Sequence, residues 1–161
     1  MLRIILSMVK SLEKIAKQKK IKYFLVTFVD LFGVQRAKLV PTRAIGEMQK
    51  TGAGFGGFAT HLDLSFSEPD MFALPDPDSL IQLPWQPDVG WLASDLVMNN
   101  KFMDQCPRVI LKNQINNLDK LNLKMMTGVE CEFFVLNEDG SEVADTRDDA
   151  IKPCYDVAAL M

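Results

Sequence analysis

The sequence predicts an α+β chain, and three observations carry that reading. A run rich in aromatic and β-branched residues (21–30) is followed, across a glycine turn, by a second run that alternates apolar and polar (34–40). Apolar residues recur at helical spacing near the start and again after Pro107. Between these lie proline-punctuated stretches and further short strand patterns, without the regular strand–helix alternation of a parallel α/β sheet. With 161 residues, 48% hydrophobic and 24% charged, the chain has enough apolar side chains for a real core.

Residues 1–20 read as an N-terminal amphipathic helix. Ile5, Met8, Val9, Leu12, Ile15 and Ala16 form one face, and Lys10, Lys14, Lys17, Lys19 and Lys20 a solvated one. The apolar run at 4–6 is too short for a signal peptide, so the helix is expected to dock on a domain. Residues 21–30 and 34–40 form a β-hairpin, with Gly33 free to take positive φ in the turn and Pro41 ending the second strand. Thr42 is placed as the N-cap of a short helix over 42–50. The glycine-rich stretch 51–70 reads as a long surface loop. Prolines 75, 77, 84 and 87 exclude helix and leave a short strand at 79–83. Residues 89–98 form another strand, turned at Asn99 and Asn100.

The character changes near 103–107. Pro107 opens a helix with Val109, Ile110, Ile115, Leu118 and Leu121 on its apolar side. A strand follows over 124–136, then a type I′ turn at Asp139-Gly140. The domains expected are thus the helix at 1–20, a first domain at 21–104, and the incomplete beginning of a second at 105–161. The apolar, uncapped end at 158–161 suggests a truncated chain.

Several function classes are excluded. A formal charge of −3 and a pI near 5.2 argue against nucleic-acid binding and against an anionic membrane partner. Cys106, Cys131 and Cys154 show no zinc or disulfide spacing, which points to a reducing cytoplasm. His61 is the only histidine, so no His-dependent triad is at hand, and it is taken as a surface side chain. Cys131 is expected as a core filler, Trp85 and Trp91 as packing residues, and Asp95 and Asp104 on a solvated face.

The sharpest chemical signal is Thr-Gly-Val-Glu-Cys-Glu-Phe-Phe-Val at 127–135. On a strand, Glu130, Glu132 and Phe134 share one face, while Val129, Cys131, Phe133 and Val135 form an apolar core face. The two carboxylates then stand roughly 6–7 Å apart. Buried, they would need pairing or a hard divalent cation, and each can hold one of two neighbouring metals of the kind that suits phosphoryl chemistry. The bland reading puts both on the water side of an ordinary strand.

The ordered set of segments resembles the N-terminal part of the glutamine synthetase family, in its type III-like branch. The segments are VTFVDLFGVQRAKLVP, EPDMFALPDPDSL, WQPDVGWLASDL, PRVILKNQINNL, TGVECEFFVL and KPCYD, over roughly 20–161. The resemblance implies a β-grasp-like N-terminal domain followed by the start of a catalytic α+β domain. It implies ATP-dependent ligation of ammonia to the γ-carboxylate of glutamate through γ-glutamyl phosphate, with two Mg²⁺ or Mn²⁺ ions per site. By motif match, Glu130 falls to the metal near the ATP phosphates and Glu132 to the metal beside glutamate. The implied partners are glutamate, ATP, an amine and further copies of the full-length protein in a ring.

Two departures bear on this. Gly56 and Gly57 stand where many members carry an Asp-Gly whose Asp holds ammonium, and Asp63 is the only acid nearby; methylamine or another primary amine is the rival acceptor. The family's ATP- and glutamate-binding residues lie further along than this chain extends, so the chain is expected to be inactive alone. The reading from another class is a non-catalytic binding module derived from such an enzyme.

Overall fold

Tyr23–Val29 forms β1 in the computed structural model, which describes residues 10–145. Its alternate side chains Phe24, Val26 and Phe28 are buried, as the period of a half-covered strand requires. Gln35–Pro41 forms β2, antiparallel to β1 with Val26 opposite Lys38. The hairpin is the expected one: Gly33 takes φ +81° in the turn.

The centre of the sheet is β6, Val89–Met98, which runs parallel to β1 with Leu25 opposite Trp91. Along its other half β6 pairs antiparallel with β4, Met71–Pro75, which in turn pairs with β3, Ala53–Phe55. The order is β2-β1-β6-β4-β3, with β5 (Ile81–Gln82) and β7 (Lys101–Phe102) also on β6. This is a mixed sheet with helices, the α+β class expected. Strand β3 lies inside the stretch 51–70 expected as loop, and β4 in the proline-punctuated stretch after it, where the only strand expected was 79–83. Their residues are too few for a period to show, and pairing, of β4 with β6 and of β3 with β4, rather than propensity makes them strands.

One face of the sheet is the core. Phe24, Val26, Leu92, Leu96, Met71 and Ala73 are buried on it, joined by Leu12 and Ala16 of α1 (Leu12–Lys19) and Ile45 of α2 (Thr42–Thr51). Each such Leu or Phe removed from water contributes about 1.5–3 kcal/mol. Gly90 lies opposite Phe24, and a Cβ there would stand 3.0 Å from the Phe24 ring. The glycine makes room for the largest fully buried side chain of the core.

Two local expectations are corrected. Ser11 caps α1 through Lys14 N–H as a cap should, but α2 has no side-chain cap: Pro41 holds that place, and Thr42 instead donates its hydroxyl to Ile21 O at 2.8 Å. Asn99 and Asn100 both take positive φ, the turn expected between β6 and β7. At 139–140 only Gly140 does, at +71°, so that turn is not type I′.

The proline-led helix α3, Pro107–Lys120, forms as expected with Pro107 in its first turn. The chain divides into two compact units, one through Lys124 and one from Met125, so α3 lies in the same unit as the sheet. The second unit holds an antiparallel bridge between Leu136 and Val143, closed by the Gly140 turn. Within that turn Asp139 accepts from the N–H and the hydroxyl of Ser141, which hold its carboxyl below the usual range. The apolar residues expected at 5, 8 and 9 of the first helix, Cys154 and the apolar end at 158–161 lie outside the described residues.

Candidate functional site

Glu130 and Glu132 lie in a stretch, 123–135, that forms no strand. Both are exposed, and so is the face expected to be core: Val129 is 89% and Phe133 78% exposed. Cys131, expected as a buried filler, is exposed as well. A strand is held by its neighbours' N–H and C=O groups and by what covers its faces. Among the described residues no strand lies beside this stretch beyond the bridge at Leu136. The side-chain pattern is strand-like; the ladder that would realise it is missing.

Two carboxylates are the right donors for a hard divalent cation, but they are few. Mg²⁺ asks for near-octahedral oxygen coordination. Among the described residues no group of three or more His, Cys, Asp or Glu side chains gathers where a metal would sit. Donor chemistry fits a hard cation and donor number does not: among the described residues these two carboxylates by themselves close no metal site. A Cβ on Gly128 would meet nothing within 4 Å, so its lack of a side chain has no local cause in this chain.

The glycine-rich stretch is a packed structure. Gly57 is buried in a single 3-10 turn, Gly57–Ala59, and a Cβ there would lie 2.3 Å from Leu64 Cδ1. Leu62 is fully buried and draws the stretch onto the core. Phe58 and Phe66 stack at 4.3 Å, both exposed. Asp63 is exposed at φ +57°, and the exposed His61 meets the edge of Phe32 at 4.9 Å between ring centres. Lys38 reaches over from β2 to donate to Gly54 O and lies 5.0 Å from the centre of the Phe55 ring. No carboxylate stands at Gly56 or Gly57.

Reasoning from sequence missed two charged clusters. Asp30 is buried, and accepts from the N–H groups of Phe32 and Val34 and from Arg36 Nε, each at 2.9 Å. The signal was present: an Asp opening a turn, with an Arg six residues on across the hairpin. Asp95, expected on a solvated face, is only 9% exposed and pairs with Lys112 at 2.5 Å and Arg108 at 3.6 Å. Its partners are on α3, out of reach of any local pattern. The tryptophans divide: Trp91 is half-buried, while Trp85, expected to pack, is 79% exposed. With Leu25, Gln35, Ile81 and Leu83 they line an open apolar groove.

A mixed sheet backed by helices, followed by a separate stretch that carries two carboxylates, defines the class: an α+β module. No family model matches the sequence. The relatives are more specific. The chain is 53% identical over 154 residues to a glutamine synthetase of Rhizobium leguminosarum bv. phaseoli, covering 96% of this chain and 35% of that protein. It is 32% identical over 152 residues to a glutamate–methylamine ligase of Methyloversatilis universalis, covering 92% of this chain and 34% of that protein. A solved structure of a GmaS/ADP complex superposes with a TM-score of 0.87 at 51% identity, over 93% of this chain and 35% of that one. By this likeness along nearly all its length, the chain belongs to the glutamine synthetase family. It spans about a third of the length of the relatives it matches.

Proposed function

We propose that this chain serves an ATP-dependent carboxylate–amine ligase, which phosphorylates the γ-carboxylate of glutamate and lets ammonia displace the phosphate. The observation that carries this is the likeness to glutamine synthetases along 96% of the chain, the stretch with Glu130 and Glu132 included. In that reading Glu130 and Glu132 are metal ligands, Glu130 toward the ATP phosphates and Glu132 toward glutamate. Bound Mg²⁺ or Mn²⁺ would neutralise charge on the transferring phosphoryl oxygens. The chain's own part is to supply two of the carboxylates. The β-grasp-like domain at 21–104 and the start of a catalytic domain at 105–161 are the division that goes with it. A ring of copies and a cytoplasmic location complete the proposal; among the described residues no helix is long and apolar enough to cross a membrane.

A second acceptor is favoured by one observation. The stretch around Gly56 and Gly57 presents glycine and phenylalanine and no carboxylate closer in sequence than Asp63, which suits an alkylamine better than ammonium. The resemblance to a glutamate–methylamine ligase supports the same reading.

The test is phosphate release from ATP by a protein of the relatives' full length beginning with this sequence, given glutamate, Mg²⁺ or Mn²⁺, and either ammonia or methylamine. Turnover is expected, and Glu130→Ala and Glu132→Ala should each lower it by at least about a hundredfold, as loss of a metal ligand in phosphoryl transfer does. The ratio of the two amines decides the acceptor. No turnover with either amine in a folded protein overturns the ligase reading and leaves a binding module. The 161-residue chain alone is expected to release no phosphate.

A further inference from the structure

The helix α3 is held to the sheet in an unusual way. Its entry is anchored by apolar burial: Cys106 is 1% and Val109 6% exposed. Past that first turn apolar burial is partial: Ile110, Leu111 and Ile115 are 43–59% exposed, and Leu118 is half-buried. A helix docked on a core ordinarily buries a stripe along its whole length. What α3 has instead is charge. Arg108 and Lys112 are four residues apart and therefore on one side of the helix. Arg108 Nη2 lies 2.5 Å from Asp76 Oδ2, and Arg108 Nη1 lies 3.6 Å from Asp95 Oδ1. Lys112 Nζ lies 2.5 Å from Asp95 Oδ2.

Both acceptors are fixed to the sheet. Asp95 is on β6 itself, and Asp76 donates its N–H to Ala93 O of the same strand at 2.8 Å. Asp95 is the critical member. Its side chain is 13% exposed, and Oδ1 has no hydrogen bond, so Lys112 and Arg108 are what balance a largely buried charge.

We propose that α3 is a hinged helix: it pivots where Cys106 and Val109 are buried, and Arg108 and Lys112 latch it to Asp76 and Asp95, so that its later turns detach while the sheet stays folded. It is the last element of the first unit, and the chain runs from it directly to the stretch with Glu130 and Glu132. The latch does not depend on the ligase reading.

Amide hydrogen exchange on the 161-residue chain tests it. Asp95→Asn removes the charge that both cations share. Amides at 111–120 should then exchange roughly five- to tenfold faster, while those of β1 and β6 keep their rates. Lys112→Met keeps the length of the side chain and breaks one contact; it should act in the same direction, less strongly, and it carries the test if Asp95→Asn does not fold. Lys17→Met, which breaks the exposed Lys17–Glu13 pair of α1, should leave α3 unchanged. The latch is overturned if α3 exchange is unmoved by the variants at 95 and 112. It is equally overturned if α3 already exchanges in step with β6, because the helix then opens only with the whole sheet.

Discussion

Asp30 ties the first hairpin together from inside. Its carboxylate takes two backbone N–H groups of its own turn and the Arg36 guanidinium, which lies 2.8 Å away on β2. Burial pushes its pKa up, but the Val34 N–H, Arg36 and the Phe32 N–H together outweigh it and hold the carboxyl below its ordinary value. A depressed folded pKa means the ionised form stabilises the fold above the unfolded value, near 3.8, and that this contribution is lost as pH falls through the folded value. Asp30→Asn keeps the shape but drops the charge facing Arg36. It should lower the melting temperature at pH 7, and the gap from the unsubstituted chain should close as pH falls below the ordinary value near 3.8 and through the lower pKa of folded Asp30. Thermal unfolding followed at several pH values reads this directly. A gap that stays constant with pH would show that shape rather than charge matters at the turn.

At the scale of elements, β6 determines the fold, since it pairs with β1, β4, β5 and β7. Its residues 89–98 were legible in the sequence to the residue, and the β1–β2 hairpin to within one or two, because long runs of β-branched and aromatic residues between turn signals leave little alternative. Short β3 and β4 were not legible, because they are strands by pairing, β4 on β6 and β3 on β4. The stretch 124–136 was the reverse case: strongly strand-like in pattern, it is no strand here for want of a neighbour. Glu130 and Glu132 could be picked out, but a shared face could not be guaranteed. Two substitutions probe the centre of the sheet. Leu92→Ala empties a fully buried site on β6 and should cost about 2–5 kcal/mol. Gly90→Ala tests the opposite error. Its new Cβ would lie 2.9 Å from Leu80 Cδ1 and 3.0 Å from the Phe24 ring, so overpacking should cost about 1–3 kcal/mol. Denaturant unfolding measures both; a neutral Gly90→Ala would mean that the Phe24 ring has room to yield.

The chain as a whole combines a first unit whose core is built from its own elements with a stretch that offers apolar side chains to nothing described. Met126 is 90%, Val129 89%, Phe133 78% and Phe134 80% exposed, far beyond what scattered surface residues explain. Such a stretch has the side chains of a two-sided buried strand and neither the ladder nor the cover of one, which is how a strand looks without its sheet. Local opening costs little where backbone groups already face water, so cleavage should concentrate there. Chymotrypsin is therefore expected to cut the 161-residue chain first near Phe133 and Phe134, and to leave a resistant piece that keeps β1 to β7. In a protein of the relatives' full length the same bonds should be protected, if the added sequence supplies the strands that pair with 124–136. That protection ties cleavage to the proposed chemistry, because the pairing that shields Phe133 would also place Glu130 and Glu132 on one face. Rapid cleavage at Phe133 in an active full-length ligase would separate the two and require the carboxylates to be held without a strand.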